Sequence, residues 1–138
     1  MRGKLLFGAA AAALMAFGLA PAASAQQADQ PGDASTQATL TGSVDAEISP
    51  AGDTDWYRLQ VEQGRRYSLA LVGIEGADGN TLDPMLAIYD AQGNQLAFND
   101  DAEGSLNSAL RYSPQTSGVV YVEARAFSAE ATGAYRLG

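Results

Sequence analysis

The run LDPMLAIYDAQGNQLAFNDDAE, Leu82 to Glu103, spells out two β-strands, the turn between them and an acidic loop. From Met85 to Tyr89 the residues alternate, Leu86 and Ile88 on one face and Met85, Ala87 and Tyr89 on the other, because successive side chains of extended backbone point to opposite sides. Asp90-Ala91-Gln92-Gly93-Asn94 holds residue types that accept tight reversals, and Gln95 to Phe98 returns. The return strand runs into Asn99-Asp100-Asp101, which places two carboxylates and an amide at a strand end.

The same alternation extends both ways along the chain. Asp55 to Val61 puts Tyr57, Leu59 and Val61 on one face and Trp56, Arg58 and Gln60 on the other. After Glu62-Gln63-Gly64, the stretch Arg66 to Gly73 aligns Tyr67, Leu69 and Leu71, and the two stretches are expected to pair as a hairpin. Ala38 to Ile48 alternates weakly, with Gly42 as a break, and reads as one bent strand or two short ones before a turn at Ser49 to Asp53. Downstream come Ser108 to Tyr112, then Val119 to Ala126 with Val120, Val122, Ala124 and Ala126 on one side, and finally Ala134 to Leu137. Turn signals recur roughly every 8 to 12 residues with no helical period between them, which predicts an all-β chain, a jelly-roll-like antiparallel β-sandwich of about eight strands.

At the N-terminus Arg2 and Lys4 precede an apolar run, Leu5 to Leu19, that ends in Ala23-Ser24-Ala25. This is the pattern of a secretory signal peptide, residues 1–25, with an A-x-A cleavage site, and it predicts an exported protein, periplasmic or extracellular. The run falls short of the ~20 residues a membrane span needs, so no membrane span is expected. Residues 26–37, QQADQPGDASTQ, carry no apolar period and are expected to form a disordered linker. Residues 38–138 suffice for one domain.

All 16 acidic residues follow Ala25, against six basic ones (Arg58, Arg65, Arg66, Arg111, Arg125 and Arg136), so that portion carries a net charge of −10. Such a surface repels nucleic acid and attracts divalent cations. The chain has no His and no Cys, and its single lysine, Lys4, lies in the signal segment. Ser/His/Asp and Cys/His nucleophiles, Ser/Lys pairs and HExxH zinc sites are therefore excluded. What remains is carboxylate chemistry: a pair of acids of the glycosidase kind, or a cation held by oxygen ligands.

Asn99, Asp101 and Glu103 followed by Gly104 match the first half of a calcium loop. The second half fails, because Leu110 stands where a bidentate Glu is required. Counting outward from Gln92 sets Asp83 opposite Asp101. The expected calcium site is therefore Asp83, Asn99, Asp101 and Glu103, with Asp53 and Asp55 as the second acidic pair. The aromatic residues suit a core or cross-strand pairs better than a sugar platform. Trp56, on the face opposite Tyr57, is the one that needs a separate explanation.

With these residues in view the chain resembles the bacterial pre-peptidase C-terminal domain family, modules appended to secreted proteases and related to clostridial collagen-binding domains. The resemblance covers most of Val44 to Leu137. It rests on Asp53-Thr54-Asp55-Trp56-Tyr57-Arg58, Gly64 and Tyr67, Leu82-Asp83-Pro84 with Leu86, Tyr89-Asp90 and Gly93, Leu96, and Asn99-Asp100-Asp101. Ser108, Ser117-Gly118 with Tyr121, and Gly133-Ala134-Tyr135 complete it. It implies a jelly-roll-like sandwich that is not an enzyme and, as in several relatives, a calcium site around the Asp-x-Asp-Trp-Tyr segment or nearby loops. The chain departs from the collagen-binding relatives in having only Asp29 and Asp33 as acids in its linker. The function expected is an exported, non-catalytic binding or accessory module stabilised by calcium, with a protein or polysaccharide ligand. A small carboxylate-based glycan hydrolase is the alternative.

Export with cleavage after Ala25 predicts that the protein isolated from its host begins at Gln26. Intact-mass measurement checks this, and retention of the segment 1–25 on the exported protein would refute it.

Overall fold

A computed structural model describes residues 29–102 and 104–138; the signal segment and Glu103 lie outside the described residues. Eight strands form: β1 (Val44–Ile48), β2 (Thr54–Val61), β3 (Tyr67–Ile74), β4 (Pro84–Tyr89), β5 (Gln95–Asn99), β6 (Ser108–Tyr112), β7 (Gly118–Ala126) and β8 (Gly133–Leu137). They make two four-stranded sheets, ordered β1-β8-β3-β6 and β2-β7-β4-β5, with every pairing antiparallel. Every connection except β4 to β5 passes from one sheet to the other, which is the jelly-roll arrangement. Among the described residues there is no helix, and none is long and apolar enough to cross a membrane.

The core forms where the alternating faces meet. Ile48, Leu71, Leu86, Ile88, Val122, Tyr135 and Leu137 are fully buried there, and Tyr57, Val61 and Ala46 nearly so. Each large aliphatic side chain removed from water contributes about 1.5–3 kcal/mol, and the alternation that aims them inward is the one legible in the sequence. The faces expected for β2, β3, β4 and β7 are those observed.

Two pairings differ from the expectation. β2 and β3 do not form a hairpin: β2 pairs with β7, and β3 pairs with β6 and β8, so the Glu62 to Arg66 turn carries the chain between sheets. Alternation defines a strand and its faces but not its neighbour. β4 and β5 do form the expected hairpin, but an irregularity at Ile88/Tyr89 shifts its register, so that Leu86 pairs with Asn99. The ladder ends there, and Asp83 lies beyond it rather than opposite Asp101.

The described part of the expected linker is packed rather than loose. Residues 29–40 lie along the outer edge of β2: the amide of Trp56 donates to the Pro31 carbonyl (3.0 Å), the amide of Arg58 to Ala38 (2.7 Å) and the amide of Leu40 to Arg58 (2.8 Å). Thr36 is fully buried, and Thr39 makes a parallel bridge with Arg58. An open strand edge carries unpaired N–H and C=O groups, and this strap satisfies those of β2. Polar composition concealed it, because backbone hydrogen bonds to an edge require no apolar period in the segment that makes them.

Gly73 in β3 is a close-approach position. A Cβ there would run into the Leu82 backbone carbonyl, which cannot swing aside like a side chain, whereas a Cβ on Gly42 would meet nothing within 4 Å. Gly73→Ala is expected to lower stability by about 1–3 kcal/mol, and Gly42→Ala to leave it unchanged or raise it by about 0.5 kcal/mol. Urea unfolding of the two variants checks the contrast.

Candidate metal centre

Among the described residues one group of three carboxylates comes within mutual reach: Asp29, Asp53 and Asp55, with one oxygen of each lying within 4.8 Å of the others. Each arrives by a different local cause. Asp55 belongs to β2, on the inward face it shares with Tyr57 and Val61, and is fully buried. Asp53 closes the β1–β2 turn: its own amide donates to the Pro50 carbonyl (3.1 Å), and its Oδ2 accepts from the amide of Ser49 (3.0 Å). Asp29 is exposed and is carried in by the strap.

The buried Asp55 carboxylate is held from two sides. Its Oδ1 accepts from the Gln30 amide (3.2 Å), and its Oδ2 accepts from the Tyr135 hydroxyl (2.6 Å). The Tyr57 and Tyr135 hydroxyls are 2.6 Å apart. Because Tyr135 spends its proton on Asp55, Tyr57 is the donor in that contact, and a chain runs Tyr57 to Tyr135 to Asp55 across the two sheets. Burial pushes the Asp55 carboxyl up to about 6; the two hydrogen bonds oppose the rise, and the charges of Asp53 and Asp29 add to it. Burial also raises Asp53, with Asp29 pushing the same way. Tyr57 is pushed up to about 12, chiefly by burial, and Tyr135 well above the ordinary phenol range for the same first cause.

The donor set is entirely oxygen, it is crowded with negative charge, and no lysine or arginine pairs with it among the described ion pairs. Hard divalent cations favour such sets, and a cation offsets both the burial and the neighbouring charges that raise Asp53 and Asp55. The carboxylates do not form an open catalytic pair, because Asp55 is sealed from solvent.

The other expected residues are placed as follows. Burial raises Asp83, and Asp101 and Asp100 raise it further, so these acids do face one another electrostatically. The Oδ1 of Asp83 is buried without a hydrogen-bond partner among the described residues. Asp101 is exposed, and Asn99 uses its Oδ1 to accept from the amide of Ala109 (3.3 Å), tying β5 to β6. Asp53 and Asp55 come together with Asp29, which the sequence reading had not placed in any site. A signal for Asp55 was available, since the alternation of β2 extended back two residues puts a carboxylate on the core face. No local signal marks Asp29. The strap's other acid, Asp33, accepts instead from the amide and hydroxyl of Ser35 in its own turn (2.8 and 2.6 Å).

Trp56 occupies the opposite face of the second sheet and is nevertheless buried. Its ring stacks on Tyr89 (centroids 4.6 Å apart, planes 16° apart), lies 5.8 Å from Tyr121, and its Nε1 donates to Glu123 Oε2 (3.0 Å). Its indole face is therefore covered and offers no sugar platform.

No family model matches the sequence, and no curated sequence matches it. Among solved structures, the pre-peptidase C-terminal domain of collagenase from Bacillus anthracis matches with a TM-score of 0.57, over 85% of this chain and 98% of that chain, at 13% identity. The chain has the fold of that domain.

A carboxyl raised from 3.8 to about 6 on folding stabilises the fold fully below about 3.8 and loses that contribution as pH rises through about 6. Asp33, Asp45, Asp78 and Asp90 are lowered and act only at the acid end, below their ordinary 3.8. In chelator the protein is therefore expected to be more stable at pH 5 than at pH 7 by about 1 kcal/mol, or about 5 °C in Tm, and Asp55→Asn should flatten that slope. Melting curves at the two pH values check it; a Tm that falls from pH 7 to pH 5 would contradict it.

Proposed function

We propose that this chain is an exported, non-catalytic accessory module whose N-terminal strap is clasped to the sandwich by Ca²⁺ held among Asp29, Asp53 and Asp55. The observation that carries this reading is the triad itself: three carboxylates from the strap, a turn and a strand, one of them fully buried. The all-oxygen donors suit calcium rather than zinc, iron or copper, which favour His and Cys ligands the chain lacks. A bound cation would supply charge neutralisation. The residues themselves position it: the Gln30 amide and the Tyr135 hydroxyl orient Asp55, and the Ser49 amide orients Asp53. The strap enters along β2, so clasping it sets the direction from which any preceding segment approaches the domain. The leader pattern at residues 1–25 and the fold shared with a collagenase accessory domain support export and a non-enzymatic role.

Calcium at a hundred times its Kd is expected to raise Tm by about 10 °C or more, since such binding adds about 2.7 kcal/mol to the folded state. Asp29→Asn, which alters an exposed side chain and spares the core, should remove most of that gain. Asp83→Asn combined with Asp101→Asn should keep it. Melting in calcium and in chelator for the parent and both variants makes the test. The reverse pattern would move the cation to the Asp83 cluster, and equal melting of the parent in calcium and in chelator would end the calcium reading.

A further inference from the structure

A cleft borders the β1–β2 turn. Gly52 to Thr54 and the loop Phe127 to Ala129 wall its volume of about 250 Å³, with Met85, Arg125 and Ala126 completing its lining. Arg125 is held there by a buried framework. Its Nε lies 3.5 Å from Glu123 Oε1, and Glu123, only 6% exposed, is fixed in turn by the indole N–H of Trp56 (Oε2, 3.0 Å) and the hydroxyl of Tyr89 (Oε1, 3.3 Å). The Trp56–Tyr89 stack locks both donors. The Nε itself is buried without a hydrogen-bond partner, and the terminal guanidinium nitrogens have none among the described residues. A guanidinium paired with Glu123 on its Nε side, and with no partner for its outer N–H groups among the described residues, can receive a carboxylate in bidentate fashion. Beside it Met85 and Ala126 are apolar, and Phe127, 60% exposed, stands at the rim. Asp53, the acidic lining residue, has its Oδ2 engaged by Ser49 and makes no ion pair with Arg125 among the described residues.

We propose that this cleft binds the C-terminal residue of a peptide whose last side chain is apolar. The terminal carboxylate would meet Arg125, and the side chain would lie against Met85 and Phe127. Met85 is the cross-strand partner of Arg125, so a carboxylate on the guanidinium and an apolar group on Met85 leave from close to one another, as they do from the α-carbon of a C-terminal residue and not from an internal acidic side chain. The volume is below the ~300–1,000 Å³ of clefts that take drug-sized ligands, so one residue is the fitting unit. The proposed contacts run to Arg125, Met85 and Phe127; Asp53 is the one lining residue the cleft shares with the carboxylate triad.

The test is an amide-resonance titration of the full domain, in calcium buffer, with N-acetyl-Gly-Leu and with its C-terminal amide. The acid is expected to shift Gly52 to Thr54 and Arg125 to Ala129 saturably, and the amide to bind at least about tenfold more weakly. Phe127→Ala, an exposed change that spares the fold, should weaken the acid about fivefold. Arg125→Gln should abolish the discrimination between acid and amide. Equal binding of acid and amide, an internal-Glu peptide amide binding as well as the acid, or indifference to Phe127→Ala would each overturn the proposal. So would a folded Arg125→Gln variant that still prefers the acid, because the carboxylate would then be meeting a cation beside Asp53. If Arg125→Gln fails to fold, the acid and amide comparison together with Phe127→Ala decides alone.

Discussion

A carboxylate fully enclosed at one end of a sandwich core must be given donors, and Asp55 draws them from parts of the chain that share no sequence neighbourhood. Its own strand belongs to the second sheet, Tyr135 comes from β8 of the first, and Gln30 comes from the strap. An ionised group left unpartnered in such a place costs several kcal/mol, so the three segments are coupled: moving any one strands the charge. The Tyr57 hydroxyl extends the chain by one further hydrogen bond, to Tyr135. The remaining core is aliphatic packing that tolerates small adjustments. This corner has few alternatives.

The second sheet applies the same solution on its outer face. Glu123, on β7, sits beneath the Trp56–Tyr89 stack and is satisfied by their N–H and O–H groups and by Arg125. Ala87, the cross-strand partner of Glu123, is almost fully buried even though it points away from the core. Strands β2 and β7 thus carry one buried carboxylate inside the sandwich and another outside it, each held by aromatic donors. The inner one meets the strap and two further carboxylates, which suits a cation. The outer one pairs with a guanidinium whose outer N–H groups have no partner among the described residues, which suits an anion.

Strap, turn and cleft also share a mechanical logic. The strap is attached to β2 by a short series of backbone hydrogen bonds and by the Gln30 contact, with Thr36 and Leu40 as its buried side chains. Segments with so few buried contacts open locally at far lower free energy than the core strands they cover. A ligand shared between the strap and the β1–β2 turn would therefore act on a segment that opens more readily than the core strands. Asp53 belongs to that turn and also lines the cleft.

The sequence by itself determined the class of fold, the positions of the seven strands β2 to β8 to within a residue, and which face of β2, β3, β4 and β7 turns inward. Those properties are local, since a two-residue period and turn chemistry are written in consecutive residues. It also marked Trp56 as a residue needing its own explanation and Asp53 and Asp55 as a site candidate. Only the tertiary structure decided which strands are neighbours. β2 alternates as a hairpin partner of β3 would, yet it pairs with β7, because pairing depends on chain crossovers that leave no mark in either strand. The β4–β5 hairpin was legible as a pair, but its register was not, because an irregularity at Ile88/Tyr89 slides Asp83 past the ladder's end. Asp29 was hidden most completely: it joins Asp53 and Asp55 from 24 residues away, through a strap held by backbone groups whose hydrogen bonds no side-chain pattern announces.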